Sequence, residues 1–153
     1  MNAPLVIGLG NDFRRDDGAG RVAVRRLREL APGALDILEQ SGEGAALMEA
    51  WRGTEFVVLI DAVHSGAAPG HIHRLDAETE PIPSNFFHYS THAFSLAEAV
   101  ELARALGELP PRLIVYGIEG SDFTSGEGLS PQVAAAVEQV VQSIHSELCT
   151  KHT

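Results

Sequence analysis

The chain has 153 residues, 44% of them hydrophobic and 21% charged, with a formal net charge of −10 and one cysteine. That length fits one domain with one core, and the acidity argues against a nucleic-acid partner or an anionic membrane surface, since both need a basic patch. The lone Cys149 can form no internal disulfide. The N-terminus carries no basic region ahead of its apolar stretch, and the longest apolar run, FVVLIDAV, is far short of a bilayer span, so a cytoplasmic protein is expected.

Leu5 to Gly10 is a short apolar run closed by glycines and reads as a buried strand. A helix is expected from about Gly18 to Leu30, with Ala19, Val22, Ala23, Leu27 and Leu30 at helical spacing and Pro32-Gly33 as its stop. Leu35 to Leu38 fits a second strand, and Ala45 to Trp51 a short helix ended by Gly53. Phe56 to Asp61 is apolar up to its last residue, the pattern of a strand covered on both faces. Gly70 to Leu75 alternates like a short strand.

The stretch DAETEPIPSNFFHYSTH has two prolines and no period, and loops of that length are usually functional or mobile. Ser95-Leu96-Ala97-Glu98 then has the capping-box pattern and opens a helix to about Leu106. Arg112 to Ile118 reads as a strand, GIEGSDFTSGEGL as a second long loop, and Ser130-Pro131 as the start of a last helix to about Ser146. Residues 1–148 are thus read as one α/β domain, followed by a polar tail, 149–153. Alternating strands and helices predict a mostly parallel sheet with helices on both faces, and such sheets bind ligands beyond the carboxyl ends of their strands.

Those strand ends carry the chemical candidates. The Gly8-Leu9-Gly10 turn looks like a dinucleotide cradle, but Phe13 stands where the third glycine belongs, and Asp12, Asp16 and Asp17 would repel a phosphate. One aspartate of the Asp16-Asp17 pair is expected to cap the following helix, leaving the other to project into the cleft. Asp61 ends a dry strand, where a carboxylate is costly unless it is paired or bound to a metal. Of the seven histidines, His145 and His152 are expected to face solvent, as is His64 shortly after Asp61, and His71 and His73 fit an exposed edge strand. His88 and His92 lie in the cleft-facing loop, and spacing does not choose between them. Two carboxylates and one imidazole make a three-point site for a divalent cation, though a loose one for zinc or nickel unless another molecule supplies further ligands.

In this order the residues resemble the hydrogenase maturation endopeptidases. Gly8-Leu9-Gly10-Asn11 followed by Asp16-Asp17-Gly18-Ala19-Gly20 is similar to that family's G-x-G-N-x-x-x-x-D-D/E-x-x-G signature. Ile60-Asp61-Ala62 resembles its central aspartate, Ser90-Thr91-His92 its histidine segment, and Gly117-Ile118-Glu119 with Gly128-Leu129-Ser130-Pro131 its C-terminal pattern. The resemblance implies a three-layer α/β sandwich around a twisted five-stranded sheet. It implies an endopeptidase that removes the C-terminal extension of a nickel–iron hydrogenase large-subunit precursor after nickel insertion. The nickel would be carried by the substrate as the recognition element, with no tightly held cofactor in the free enzyme. Asp17, Asp61 and His92 are the implied metal-contacting and catalytic residues, which leaves Asp16 as structural. The competing readings are a self-contained metallohydrolase of a small amide, a non-catalytic nickel chaperone docking on the large subunit, and a protease acting on another metalloprotein.

Overall fold

The computed structural model describes residues 3–87 and 92–149. Eleven segments follow one another: β1 (Leu5–Leu9), a 3-10 turn (Arg15–Gly18), α1 (Ala19–Leu30), β2 (Asp36–Gln40), α2 (Gly44–Trp51), β3 (Phe56–Val63), β4 (Ile72–Asp76), a second 3-10 turn (Ser84–Phe87), α3 (Leu96–Leu106), β5 (Arg112–Glu119) and α4 (Pro131–Cys149). The five strands form one sheet in the order β2-β1-β3-β5-β4. All pairings are parallel except β4 with β5, which run antiparallel. Among the described residues no helix is long and apolar enough to cross a membrane.

Each central strand is apolar on both faces because helices cover both. Val58, Ile60, Ala62, Ile114, Tyr116 and Ile118 pack under α1 and α4, around Leu27, Val137 and Val141. The alternate residues Val57, Leu59, Val63, Leu113 and Val115 pack under α2 and α3, around Leu47, Trp51 and Val100. The period of two along β3 sends odd and even positions to opposite layers. Asp61 falls in the odd series and interrupts the apolar face beneath α2 and α3.

Several boundaries differ from the sequence reading. β3 does not end at Asp61 but continues to Val63, because its pairing with β5 persists through Asp61 with Gly117 and Val63 with Glu119. β2 starts at Asp36, in register with Leu5 of β1. α4 runs to Cys149, three residues beyond Ser146, because Leu148 still packs into the core.

Small residues let the layers approach. A Cβ on Gly20 would collide with the Ile60 carbonyl, and one on Gly8 with the Gly20 carbonyl. The N-terminal end of α1 therefore lies directly on β1 and β3, one residue from Asp61. No larger side chain fits at either glycine without lifting the helix.

Candidate active site

The turn between β1 and α1 presents two acids in opposite directions. Gly10 has φ +129°, and a Cβ there would collide with the Asp17 carbonyl, so the turn closes only on glycine. Arg15 takes the left-handed region at φ 48°, a conformation costing a non-glycine residue about 1 kcal/mol. It is held there by its N–H donating to the Gly126 carbonyl at 2.9 Å and by the Gly126 N–H donating to the Phe13 carbonyl at 2.9 Å.

Asp16 faces away from the cleft. Its fully buried carboxylate accepts hydrogen bonds from Ser121 N (2.9 Å), Asp122 N (3.0 Å), Ser130 N (2.7 Å) and Ser130 Oγ (2.7 Å). Burial pushes its carboxyl up, but these donors outweigh burial and hold it below the usual carboxylate range. The expectation that one of the pair caps α1 fails: the N-cap of α1 is Gly18, with no side-chain cap. Asp16 is instead occupied across the chain by the β5–α4 loop. Ser130, expected to cap α4, stands just before Pro131, but its hydroxyl donates to Asp16.

Asp17 turns into the cleft. Its Oδ2 accepts from Asn11 N at 2.8 Å. Burial raises its pKa, and the Asn11 bond and the charges of Arg14, Arg21 and His92 only partly offset that. Asp61 stands opposite. Its Oδ1 accepts from Ala62 N at 2.8 Å. Burial, and then the negative charge of Asp17, drives its pKa well above the carboxylate range. Both carboxyls are raised, Asp17 by burial and Asp61 by burial and the charge of Asp17, so the site gains from a bound cation or a proton.

His92 is half-buried and lines the same cleft. It lies within electrostatic reach of Asp17 and of Glu43, lowering the pKa of both. Its segment docks on the start of α2, where Gly44 N donates to the Phe94 carbonyl at 2.8 Å and the Gly44 backbone lies against the Phe94 ring. Glu43 caps that helix through Ala45 N and Ala46 N. On the other side, Glu98 accepts from Ser95 N (3.0 Å) and Ser95 Oγ (2.7 Å), the predicted capping interaction at α3. His88, Ser90 and Thr91 lie outside the described residues.

The three residues singled out from the sequence, Asp17, Asp61 and His92, thus meet in one cleft of about 350 Å³ at the carboxyl ends of β1 and β3. Among the described residues no three His, Cys, Asp or Glu side chains gather closely enough to hold a metal ion by themselves. A cation here would draw further ligands from elsewhere. The cleft is also lined by aromatic rings: Phe13 from the β1–α1 turn, Phe86 and Phe87 from the loop before α3, and Phe123 from the β5–α4 loop.

Two histidines depart from their expected surroundings. His64 lines the cleft, with its ring edge-on to Phe123 at 5.8 Å and its N–H donating to the Phe86 carbonyl at 2.9 Å. His73 sits on the edge strand, yet its side chain is only 15% exposed and contacts Glu119 at 3.1 Å. Glu119, buried at the end of β5, also accepts from Ser65 N (2.8 Å) and Ser65 Oγ (2.7 Å). It anchors the segment that carries His64. Sequence offered only the Gly117-Ile118-Glu119 pattern as a signal for this corner, since its partners are 46 to 54 residues away along the chain.

A parallel sheet opening at its carboxyl ends into a cleft of two carboxylates and an imidazole defines an α/β protein equipped for cation or hydrolytic chemistry. The family profile described as hydrogenase maturation protease matches residues 23–147, and the chain belongs to that family, which consists of peptide hydrolases. The match takes in Asp61 and His92 and begins six residues after Asp17. Hydrogenase 2 maturation protease of Escherichia coli is 28% identical over 94% of this chain and 89% of its own length. Hydrogenase expression/formation protein HupD of Thiocapsa roseopersicina is 27% identical over 90% of the chain, which spans 64% of that relative's length. The solved hydrogenase maturating endopeptidase HybD from E. coli superposes with a TM-score of 0.79 at 26% identity, covering 96% of this chain and 92% of that one.

Proposed function

We propose that this protein is an endopeptidase that removes the C-terminal extension of a nickel–iron hydrogenase large-subunit precursor, with the nickel already in the precursor serving as the recognition element. The observation that carries this reading is the meeting of Asp17, Asp61 and His92 in one cleft at the strand ends. Family membership supplies the class of reaction; the cleft supplies the reason for a metallated substrate.

Two carboxylates whose proton affinity is raised, and an imidazole, offer oxygen and nitrogen donors to a divalent cation. The substrate brings that cation together with its other ligands, so docking completes the coordination set. Binding relieves the repulsion between Asp17 and Asp61, which links affinity to the presence of the metal. A divalent ion beside the scissile peptide polarises its carbonyl or activates a water. The chain's own contribution is positioning: Gly10 and Gly20 bring Asp17 towards Asp61, and the Ser95 and Glu43 caps flank the His92 segment. The aromatic wall excludes water and receives the chain on either side of the bond.

The test uses purified protein with nickel-loaded and nickel-free precursor, and weighs the large subunit by mass spectrometry. Loss of the extension only from the nickel-loaded form is expected. Equal loss from both forms would refute nickel recognition, and binding with no mass loss would favour a chaperone role.

A further inference from the structure

We propose that Asp16 is a positioning residue for the cleavage reaction: by taking hydrogen bonds from Ser121, Asp122 and Ser130, its buried carboxylate latches the β5–α4 loop to the β1–α1 turn and fixes the Asp17 carboxylate and the Phe123 wall relative to each other. This rests on the proposal that the cleft is the site of peptide cleavage.

The latch joins two segments more than 100 residues apart in the chain. It is reinforced by main-chain bonds of a short parallel pairing: Gly126 N to Phe13 O, Arg15 N to Gly126 O, and Asp16 N to Asp122 O, each at 2.9 Å. Arg15 at φ 48° is the pivot. It turns the chain so that Asp16 points at the loop and its neighbour Asp17 points into the cleft. Asp17 has no such set of donors; its Oδ2 takes Asn11 N, within the same turn. The place of Asp17 therefore depends on where Asp16 is tied. The loop tied by Asp16 also delivers Phe123, whose ring meets Gly120 and His64 at the other wall.

The chemistry of the latch requires a carboxylate. Ser121, Asp122 and Ser130 all present main-chain N–H donors to it. An asparagine has the same shape, but either orientation of its amide sets an NH2 group against one of those N–H groups. A cleft residue displaced by even about 1 Å can cost roughly a hundredfold in rate.

The experiment compares wild type with Asp16→Asn, the milder Ser130→Ala, and Ile144→Ala, a core substitution in α4 remote from the cleft. Cleavage of nickel-loaded precursor is measured well below every melting temperature, and exchange of the Asn11, Ser121 and Asp122 amides is followed by NMR. For Asp16→Asn, kcat/KM should fall about 10- to 100-fold. The Asn11 amide, which reports on Asp17, should exchange faster together with Ser121 and Asp122. Ser130→Ala should move every readout in the same direction by a smaller factor. Ile144→Ala should lower the melting temperature while leaving kcat/KM and the Asn11 amide in place. An Asn11 amide that keeps its protection in Asp16→Asn while Ser121 and Asp122 lose theirs would overturn the proposal. So would a kcat/KM loss in Ile144→Ala that matches Asp16→Asn at equal loss of melting temperature. A wild-type protein that cleaves nothing refutes the protease reading alone, and the Asn11 amide still decides the latch.

Discussion

Two kinds of sheltered acid occur in this fold. Asp16 and Glu119 are surrounded by N–H and O–H donors, which hold both below the usual carboxylate range despite burial. Asp17 and Asp61 are sheltered with fewer donors, and both shift the other way, Asp17 through burial and Asp61 through burial and the charge of Asp17. The satisfied pair ties loops to the sheet; the under-satisfied pair faces the cleft. Burial alone therefore does not mark a functional acid. The donor set around it does, because donors set whether its charge is already neutralised by the protein or awaits a ligand.

The comparison would break most sharply at the cleft. Asp61→Ala or His92→Ala should lower kcat/KM for nickel-loaded precursor by about 100-fold or more, since each removes a donor to the substrate's cation. Normal cleavage by both variants would show that the site lies elsewhere. At the anchors the effect should fall on stability. Glu119→Gln replaces the carboxylate's charge-assisted bonds from Ser65 N, Ser65 Oγ and Gly66 N with weaker neutral ones, and should cost about 1–3 kcal/mol by denaturant unfolding at neutral pH. Because the folded pKa of Glu119 is lowered, its contribution is full above the ordinary value of 4.5 and is lost as pH falls through the folded value. The stability gap between wild type and Glu119→Gln should therefore shrink in acid.

Asp61 should behave in the opposite sense. Its folded pKa is raised, so the ionised form destabilises the fold once pH rises above the ordinary value of 3.8. Asp61→Asn should stabilise the protein at neutral pH by about 1 kcal/mol, with the gain vanishing below that value, while abolishing cleavage. A loss of stability at pH 7 would place Asp61 with the anchors. The smallest effect belongs to the rim: Phe13 is 64% exposed, and Phe13→Ala should change unfolding free energy by less than about 0.5 kcal/mol.

Much of the scaffold was legible in the sequence because its signals are local. The apolar runs Leu5–Leu9, Phe56–Ile60 and Leu113–Ile118, the Ser95-to-Glu98 cap and Pro131 all act within one element. The acids at the strand ends were legible too, since parallel topology fixes where strand ends open. Partners distant in sequence were not. Nothing near Asp16 shows that its donors come from residues 121–130, so helix capping was the natural local reading. His73 reads as an edge-strand residue until β4 is seen to fold antiparallel onto β5, bringing it to Glu119. His64 reads as a loop residue until β3 is seen to extend past Asp61 and carry it to the cleft wall. The glycines resemble a phosphate cradle, but Phe13 and the acids already spoke against one, and Gly10, Gly8 and Gly20 serve close approach of backbone to backbone.

That close approach makes Gly20 a gauge for the whole cleft. The helix rests on the Ile60 carbonyl with no side chain between them, so the thickness of one methyl group separates a working gap between Asp17 and Asp61 from a wider one. A change at this position acts like a shim under one jaw of a vice. It leaves every residue of the cleft in the sequence, yet resets the opening between the two carboxylates.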